Sequence, residues 1–355
     1  MRVLLIRSVV AILAVAAISG AYLYWYWNHP LDLGTETYVF KPGMTLRAFA
    51  RELTSRGVFP ESYSFVRGVT FSGHERDLKA GEYRFRNGMN ARELLDQVIS
   101  GRVIEYPLIL IEGWSFQQFL AAIENAPKLT HTAPKLSPRI VMEHLGQAER
   151  HPEGMFYPDT YYYSVGGADL MILARAYNKM QALLQQQWES RSGNLPFKNS
   201  YEALILASIV EKETGRVDER RLIAGVFINR LRQGMRLQSD PTVIYGMGAS
   251  FDGNLRLKDL KQDTLYNTYT RAGLPPTPIA MPGKESLAAV LHPADTRALY
   301  FVARGDGSHY FSETLREHNN AVIQYQLRGK PKSSKTKPML QKNHNNRDSG
   351  PNKIQ

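Results

Sequence analysis

The chain opens on its longest apolar run. Arg2 and Arg7 precede Ser8 to Trp27, a stretch of 20 residues without a charged side chain. About 20 apolar residues are what a helix needs to span a bilayer. Trp25, Tyr26 and Trp27 close the run as an interfacial aromatic belt would, and arginine on the N-terminal side predicts an N-inside orientation. The alternative is a cleaved signal peptide, because Ala14-Val15-Ala16 offers a small-x-small site. The apolar run continues to Trp27, well past that site, and so favours an uncleaved anchor. The pattern predicts a cytoplasmic stub at 1–7, a membrane helix at 8–27, and the rest of the chain outside the cytoplasm.

Beyond the anchor a phrase recurs three times. Gly43-Met44-Thr45, Gly88-Met89-Asn90 and Gly113-Trp114-Ser115 each follow an alternating, strand-like stretch: Thr37 to Phe40, Glu82 to Phe85 and Pro107 to Ile111. Each precedes an apolar pair in the same register: Phe49/Ala50, Leu94/Leu95 and Phe119/Leu120. Thr, Asn and Ser are good N-caps because their side-chain oxygens accept from the free N–H groups of a first helical turn. The repeated unit is thus strand, tight glycine turn, capped helix, although any small α+β domain contains such turns.

Further on, prolines at 127, 134, 138 and 152 predict a loop holding one short helix, Pro138 to Gln147. Helical spacing marks Leu170 to Trp188, Tyr201 to Thr214 and Asp218 to Gln233. From Ser239 to Gly283 the chain is rich in Gly, Pro, Asn and Tyr and reads as irregular, which in a segment this long often signals function. Leu299 to Ala303 and Tyr310 to Ser312 flank Gly305-Asp306-Gly307 as a hairpin.

Charge changes this picture only at the C-terminus. The net charge is +11, and Lys330 to Gln355 holds six Lys and one Arg against one Asp, so this tail alone carries +6. Its poverty in large apolar residues predicts disorder. Absence of cysteine excludes disulfides, thiolate metal sites and cysteine nucleophiles. The nine histidines show no metal-ligand spacing, and His309 reads as a decoration of the hairpin.

The chemistry centres on Ala203 to Thr214, which contains Glu211-Lys212-Glu213. At 100° per residue Glu213 lies over Leu206, Ile209 and Val210, while Glu211 points to another face. A carboxyl held against apolar side chains has its pKa raised, as a general acid near neutral pH requires. A carboxylate fraying into water beside Lys212 fits the same spacing. Ser208 sits among helix-core residues without a nearby His or Asp, which argues against a serine hydrolase. Tyr266 and Tyr269, with Asn267 and Thr268 between them, offer stacking faces and polar donors suited to sugar rings, or else pin a loop.

Three segments together resemble the endolytic murein transglycosylase, or YceG-like, family. They are Ala207 to Thr214, Val226 to Leu231 continuing through Gly234 to Gly246, and Tyr266 to Tyr269 leading to Gly273-Leu274-Pro275-Pro276. His292-Pro293-Ala294 and Tyr300-Phe301-Val302 extend the likeness, which runs from the anchor to about residue 328. The resemblance implies an α+β fold with a LysM-like subdomain at 28–105, where Pro42 to Ala50 carries the likeness, a catalytic domain at 106–328, and the basic tail at 329–355. It implies Glu213 as the one catalytic carboxyl, with Glu211, Gln238, Asp240, Tyr266, Asn267, Thr268 and Tyr269 as substrate-binding residues. No metal or organic cofactor is expected.

The activity so implied is that of a lyase. It cuts between N-acetylmuramic acid and N-acetylglucosamine within peptidoglycan strands, leaves 1,6-anhydro ends, and terminates growing strands at the periplasmic side of the inner membrane. Peptidoglycan synthases are expected partners, and nucleic acid is not. A muramidase that hydrolyses the same bond and a non-enzymatic wall-binding scaffold are the rival readings.

Overall fold

The apolar N-terminal run folds as a single helix, α1 (Arg2–Asn28), in a computed structural model that describes residues 2–133 and 135–327. The basic tail therefore lies outside the described residues. Leu4–Asn28 is long and apolar enough to cross a membrane, and the side chains described in its first four turns are exposed. Packing divides the rest of the chain between two compact units.

The first unit comprises 1–109, 122–136 and 160–172. Strand β1 (Thr37–Phe40) is followed by helices α2 (Leu46–Ser55) and α3 (Tyr63–Phe71), then β2 (Gly81–Arg84) and α4 (Ala91–Ser100). β1 and β2 pair antiparallel, with Thr37 opposite Arg84 and Phe40 opposite Gly81. The second ribbon joins β3 (Tyr106–Ile109) to β4 (Thr160–Tyr163), again antiparallel. The core is aromatic and aliphatic: Phe49, Leu53, Phe59, Phe65, Tyr83 and Leu94 are all fully buried. Burial of such side chains stabilises by roughly 1.5–3 kcal/mol each. The end of α1 belongs to this core, since Trp27 stacks on Phe65 and Tyr26 packs against Phe59.

Inside this unit Glu82 is nearly inaccessible, yet it is fully partnered. It accepts from Lys128 Nζ at 2.7 and 2.9 Å, from Tyr106 Oη at 2.6 Å and from Thr37 Oγ1 at 2.7 Å. Burial raises the carboxyl pKa, but these donors outweigh it and hold Glu82 down at about 2.

The repeated turn is present in all three places. Gly43, Gly88 and Gly113 have φ of 78°, 81° and 76°, a left-handed conformation that glycine adopts without strain. In each the following residue closes a tight turn, Met44 N to Lys41 O, Met89 N to Arg86 O and Trp114 N to Ile111 O. Thr45 caps α2, and Asn90 caps α4 in a reciprocal box with Glu93.

The second unit comprises 110–121, 137–159 and residues from 173 onward. Helix α5 (Phe116–Glu124) begins in it, and α6 (Pro138–His144) lies within it. Helix α7 (Asp169–Glu189) continues into it from the first unit. Helices α8 (Ser200–Glu213), α9 (Val217–Arg232), α10 (Asp240–Met247), α11 (Leu257–Lys261) and α12 (Lys284–Leu291) follow. The hairpin of β5 (Tyr300–Ala303) and β6 (His309–Ser312) then leads to α13 (Leu315–Val322), which runs on as a π-helical turn, Ile323–Leu327.

The stretch expected to be irregular contains α10. Ser239 precedes it, Asp240 and Pro241 sit in its first turn, and it stops at Gly248, so ordinary start and stop signals lay within the Gly- and Pro-rich composition. Helix α8 is the centre of the unit. Every residue from Ala203 to Val210 is buried, and α12 packs along it. A helix apolar on all sides is a core helix. Ser208 is part of that core, donating to Ile205 O at 2.7 Å and accepting from Ile279 N at 2.9 Å.

The cap and the core of α4 make separable contributions. Asn90→Ala should cost about 1 kcal/mol by removal of the cap, and Leu94→Ala about 2–5 kcal/mol through a cavity. Urea unfolding of the two variants measures both, and equal losses would mean that the Asn90 box does more than cap the helix.

Candidate functional site

Glu213 is the last residue of α8. Its position follows from the helix: the buried run Ala203 to Val210 fixes the axis in the core, and the chain turns extended at Thr214. The carboxyl is thereby left partly accessible at the edge of a cleft of about 490 Å³. Ser239 Oγ donates to Glu213 Oε1 at 2.5 Å. Burial, the largest influence, pushes the carboxyl up to about 7. The Ser239 hydrogen bond and the Arg230 guanidinium pull it down, and the Asp240 carboxylate raises it further.

Arg230, in the last turn of α9, fixes the cleft wall through its own donors. Its Nε donates to Leu299 O at 2.6 Å, and one terminal nitrogen reaches Leu237 O at 2.8 Å. The guanidinium lies 5.2 Å from the centroid of the Tyr300 ring. The same side chain thus ties α9 to the approach to β5 and to the loop before α10. Gln238, in that loop, has φ of 53°, uncommon for a residue with a side chain. Strain of this kind clusters at functional sites.

The expected site residues divide into two sets. Glu213, Gln238, Asp240 and Tyr269 line the cleft together. Tyr269 Oη donates to Asp240 Oδ1 at 2.5 Å, and burial with this carboxylate raises the Tyr269 pKa, so the phenol remains a donor.

Glu211, Tyr266, Asn267 and Thr268 are not among the residues lining the cleft. The Glu211 carboxylate pairs with Arg220 at 3.3 Å and accepts from Gly283 N at 3.0 Å, so the far face of α8 is occupied by protein. Tyr266 packs edge-on to Tyr245 and bonds Thr277. Asn267 is fully buried; its amide donates to the carbonyls of Asp259, Leu260 and Gln262 and accepts from Tyr269 N. Thr268 is buried as well, bonded to Thr242 Oγ1 and to Ser239 N. These residues support the cleft from behind: Asn267 sets the backbone that carries Tyr269, and Thr268 holds the backbone of Ser239.

The sequence reading missed several groups here. Arg230 and Ser239 lie inside segments that carry the family resemblance, but nothing in their spacing singles them out. His309 does more than decorate its hairpin: it lines the cleft and bonds Glu219. His318, from α13, lines the cleft too and stacks on Tyr300. Among the described residues no cluster of His, Cys, Asp and Glu has metal-binding geometry.

Residues 38–324 match the YceG-like family. An endolytic murein transglycosylase of Bacillus subtilis (strain 168) is 31% identical over 332 residues, which cover 87% of this chain and 91% of the relative. One from Streptococcus pneumoniae serotype 2 is 25% identical over 360 residues, covering 90% of this chain and 64% of that longer protein. Among solved structures, the yceG-like protein lmo1499 of Listeria monocytogenes superposes with a TM-score of 0.52 at 28% identity, covering 81% of this chain and 98% of that one. The chain belongs to the YceG-like family.

A raised carboxyl pKa sets a stability signature. The ordinary value of 4.5 rises to about 7 on folding, so the folded state holds a proton that the unfolded state has released. Stability therefore falls as pH rises from about 4.5 to 7, by up to about 3 kcal/mol. Glu213→Gln removes this penalty and should stabilise more at pH 8 than at pH 5 by urea unfolding. An equal effect at both pH values would mean that the carboxyl is not held protonated. Asn267→Ala should instead destabilise by about 1–3 kcal/mol, since it leaves buried carbonyls without their donor. A variant with the wild-type melting temperature would overturn the supporting role.

Proposed function

We propose that this protein is an endolytic lytic transglycosylase of peptidoglycan, with Glu213 as its acid and then its base. The observation that carries the reading is the Glu213 carboxyl: held by Ser239 at the edge of a cleft with aromatic residues, and poised near 7. The sequence relatives that are endolytic murein transglycosylases support the substrate and the reaction.

In this mechanism Glu213 protonates the oxygen linking N-acetylmuramic acid to N-acetylglucosamine. The C1–O bond breaks, and the muramic acid 6-hydroxyl closes on C1. The carboxylate left behind takes the hydroxyl proton, so the products are a 1,6-anhydro end and a free 4-hydroxyl, with no water consumed. Burial keeps Glu213 protonated near neutral pH, the Asp240 charge adds to this, and Tyr269 holds Asp240 in place.

Asp240 also favours a second reading. A glycoside hydrolase typically uses two carboxyls flanking the bond, and Asp240 shares the cleft with Glu213. In a muramidase it would be the base or nucleophile.

The remaining assignments belong to the same proposal. Helix α1 anchors the chain in the inner membrane with the cleft on the periplasmic side. Residues 28–105 form a LysM-like subdomain, and residues 106–328 form the catalytic domain. Synthases of the same polymer work beside it, and the cut ends strand growth.

Mass spectrometry of the products from purified glycan strands tests the reading. Wild type should yield 1,6-anhydro ends from internal cuts, and Glu213→Gln should lose about 10²–10⁴-fold in rate while remaining folded. Glu211→Gln should be hurt far less. Asp240→Asn should keep anhydro products and move the alkaline limb of the pH–rate profile to lower pH. Reducing ends from the wild type, or an Asp240→Asn variant as inactive as Glu213→Gln, would favour the hydrolase.

A further inference from the structure

On the cleft wall formed by β5, β6 and α13, one imidazole is held in a fixed orientation. Glu219, in the first turn of α9, is almost fully buried; both of its oxygens meet a single residue of β6, and Arg216 Nε lies 3.9 Å from Oε1 as an ion-pair partner. Oε1 accepts from the His309 backbone N–H at 3.0 Å, and Oε2 lies 2.7 Å from His309 Nδ1. A carboxylate can only accept, so Nδ1 carries the hydrogen and Nε2 is the ring nitrogen left for another partner. The Phe301 ring stands edge-on to the imidazole, with centroids 5.4 Å apart. Among the described residues Nε2 has no hydrogen-bond partner and is not sealed in the interior, and His309 lines the same cleft as Glu213.

A buried carboxylate bonded to one ring nitrogen is the arrangement by which proteins fix which ring nitrogen a ligand meets. An exposed decoration of a hairpin needs no such partner.

We propose that His309, oriented by Glu219, is a positioning residue that accepts a hydrogen bond at Nε2 from a hydroxyl or acetamido N–H of the glycan strand in the Glu213 cleft. The inference rests on the transglycosylase reading for its ligand. Its geometry is independent of which carboxyl performs the chemistry.

The test separates the two edges of the ring. His309→Asn keeps a donor near the Nδ1 position for Glu219 but has nothing at Nε2. His309→Gln places an amide near Nε2 and gives up the Glu219 bond. Full-length protein carrying Glu213→Gln, which binds without turnover, is titrated with purified glycan strands. His309→Ala and His309→Asn should each weaken binding about 3- to 10-fold, the worth of one hydrogen bond, and His309→Gln should recover part of the loss.

In the Glu213 background the same substitutions should raise KM more than they lower kcat. Glu219→Gln, which loosens the ring, should lie between wild type and His309→Ala. Wild-type binding by His309→Ala overturns the inference. So does wild-type binding by His309→Asn with a defective His309→Gln, because the Glu219 contact would then be purely structural. The binding arm needs no turnover, so a wild type that makes no anhydro ends would count against the transglycosylase reading alone.

Discussion

The second unit is organised around the cost of placing one carboxyl at the edge of a dry core. Helix α8 is buried on every side from Ala203 to Val210 and ends on Glu213. Such a helix cannot turn or slide without exposing apolar surface, so the height of the carboxyl in the cleft is fixed by packing rather than by its own contacts. Those contacts are few: one hydroxyl bond from Ser239, with Arg230 and Asp240 nearby. A salt bridge to Glu213 would have held the side chain more firmly, but it would have driven the pKa down and disarmed the acid. Glu211, two residues earlier, is held in the firmer way, paired with Arg220 and bonded to Gly283.

What surrounds the acid follows from the same constraint. Because Glu213 accepts little direct support, rigidity must come from its neighbours. Asn267, Thr268 and Arg230 direct their polar groups largely at backbone carbonyls and amides, locking three connecting segments into a frame. Gln238 keeps its left-handed backbone within this frame, where its N–H is held by Thr268 O.

Much of this was legible in the sequence. The apolar run, the three glycine turns, the hairpin and the long helices come from periodicity and cap chemistry, which are local. Glu213 was pointed to by the resemblance more firmly than by the helix: with every face of α8 buried, an apolar stripe could not separate Glu213 from Glu211. Asn267 and Tyr269 are alike in sequence context, and only the fold tells the buried brace from the cleft wall. His309 stayed hidden because its partner, Glu219, is 90 residues away, beyond any local pattern.

The path of the chain carries one last consequence. It passes between the two units five times, at 109/110, 121/122, 136/137, 159/160 and 172/173, and α5 and α7 each begin in one unit and end in the other. A protein threaded in this way is not a pair of cassettes. No single cut would release one unit with all its residues, so neither unit corresponds to a contiguous stretch of gene.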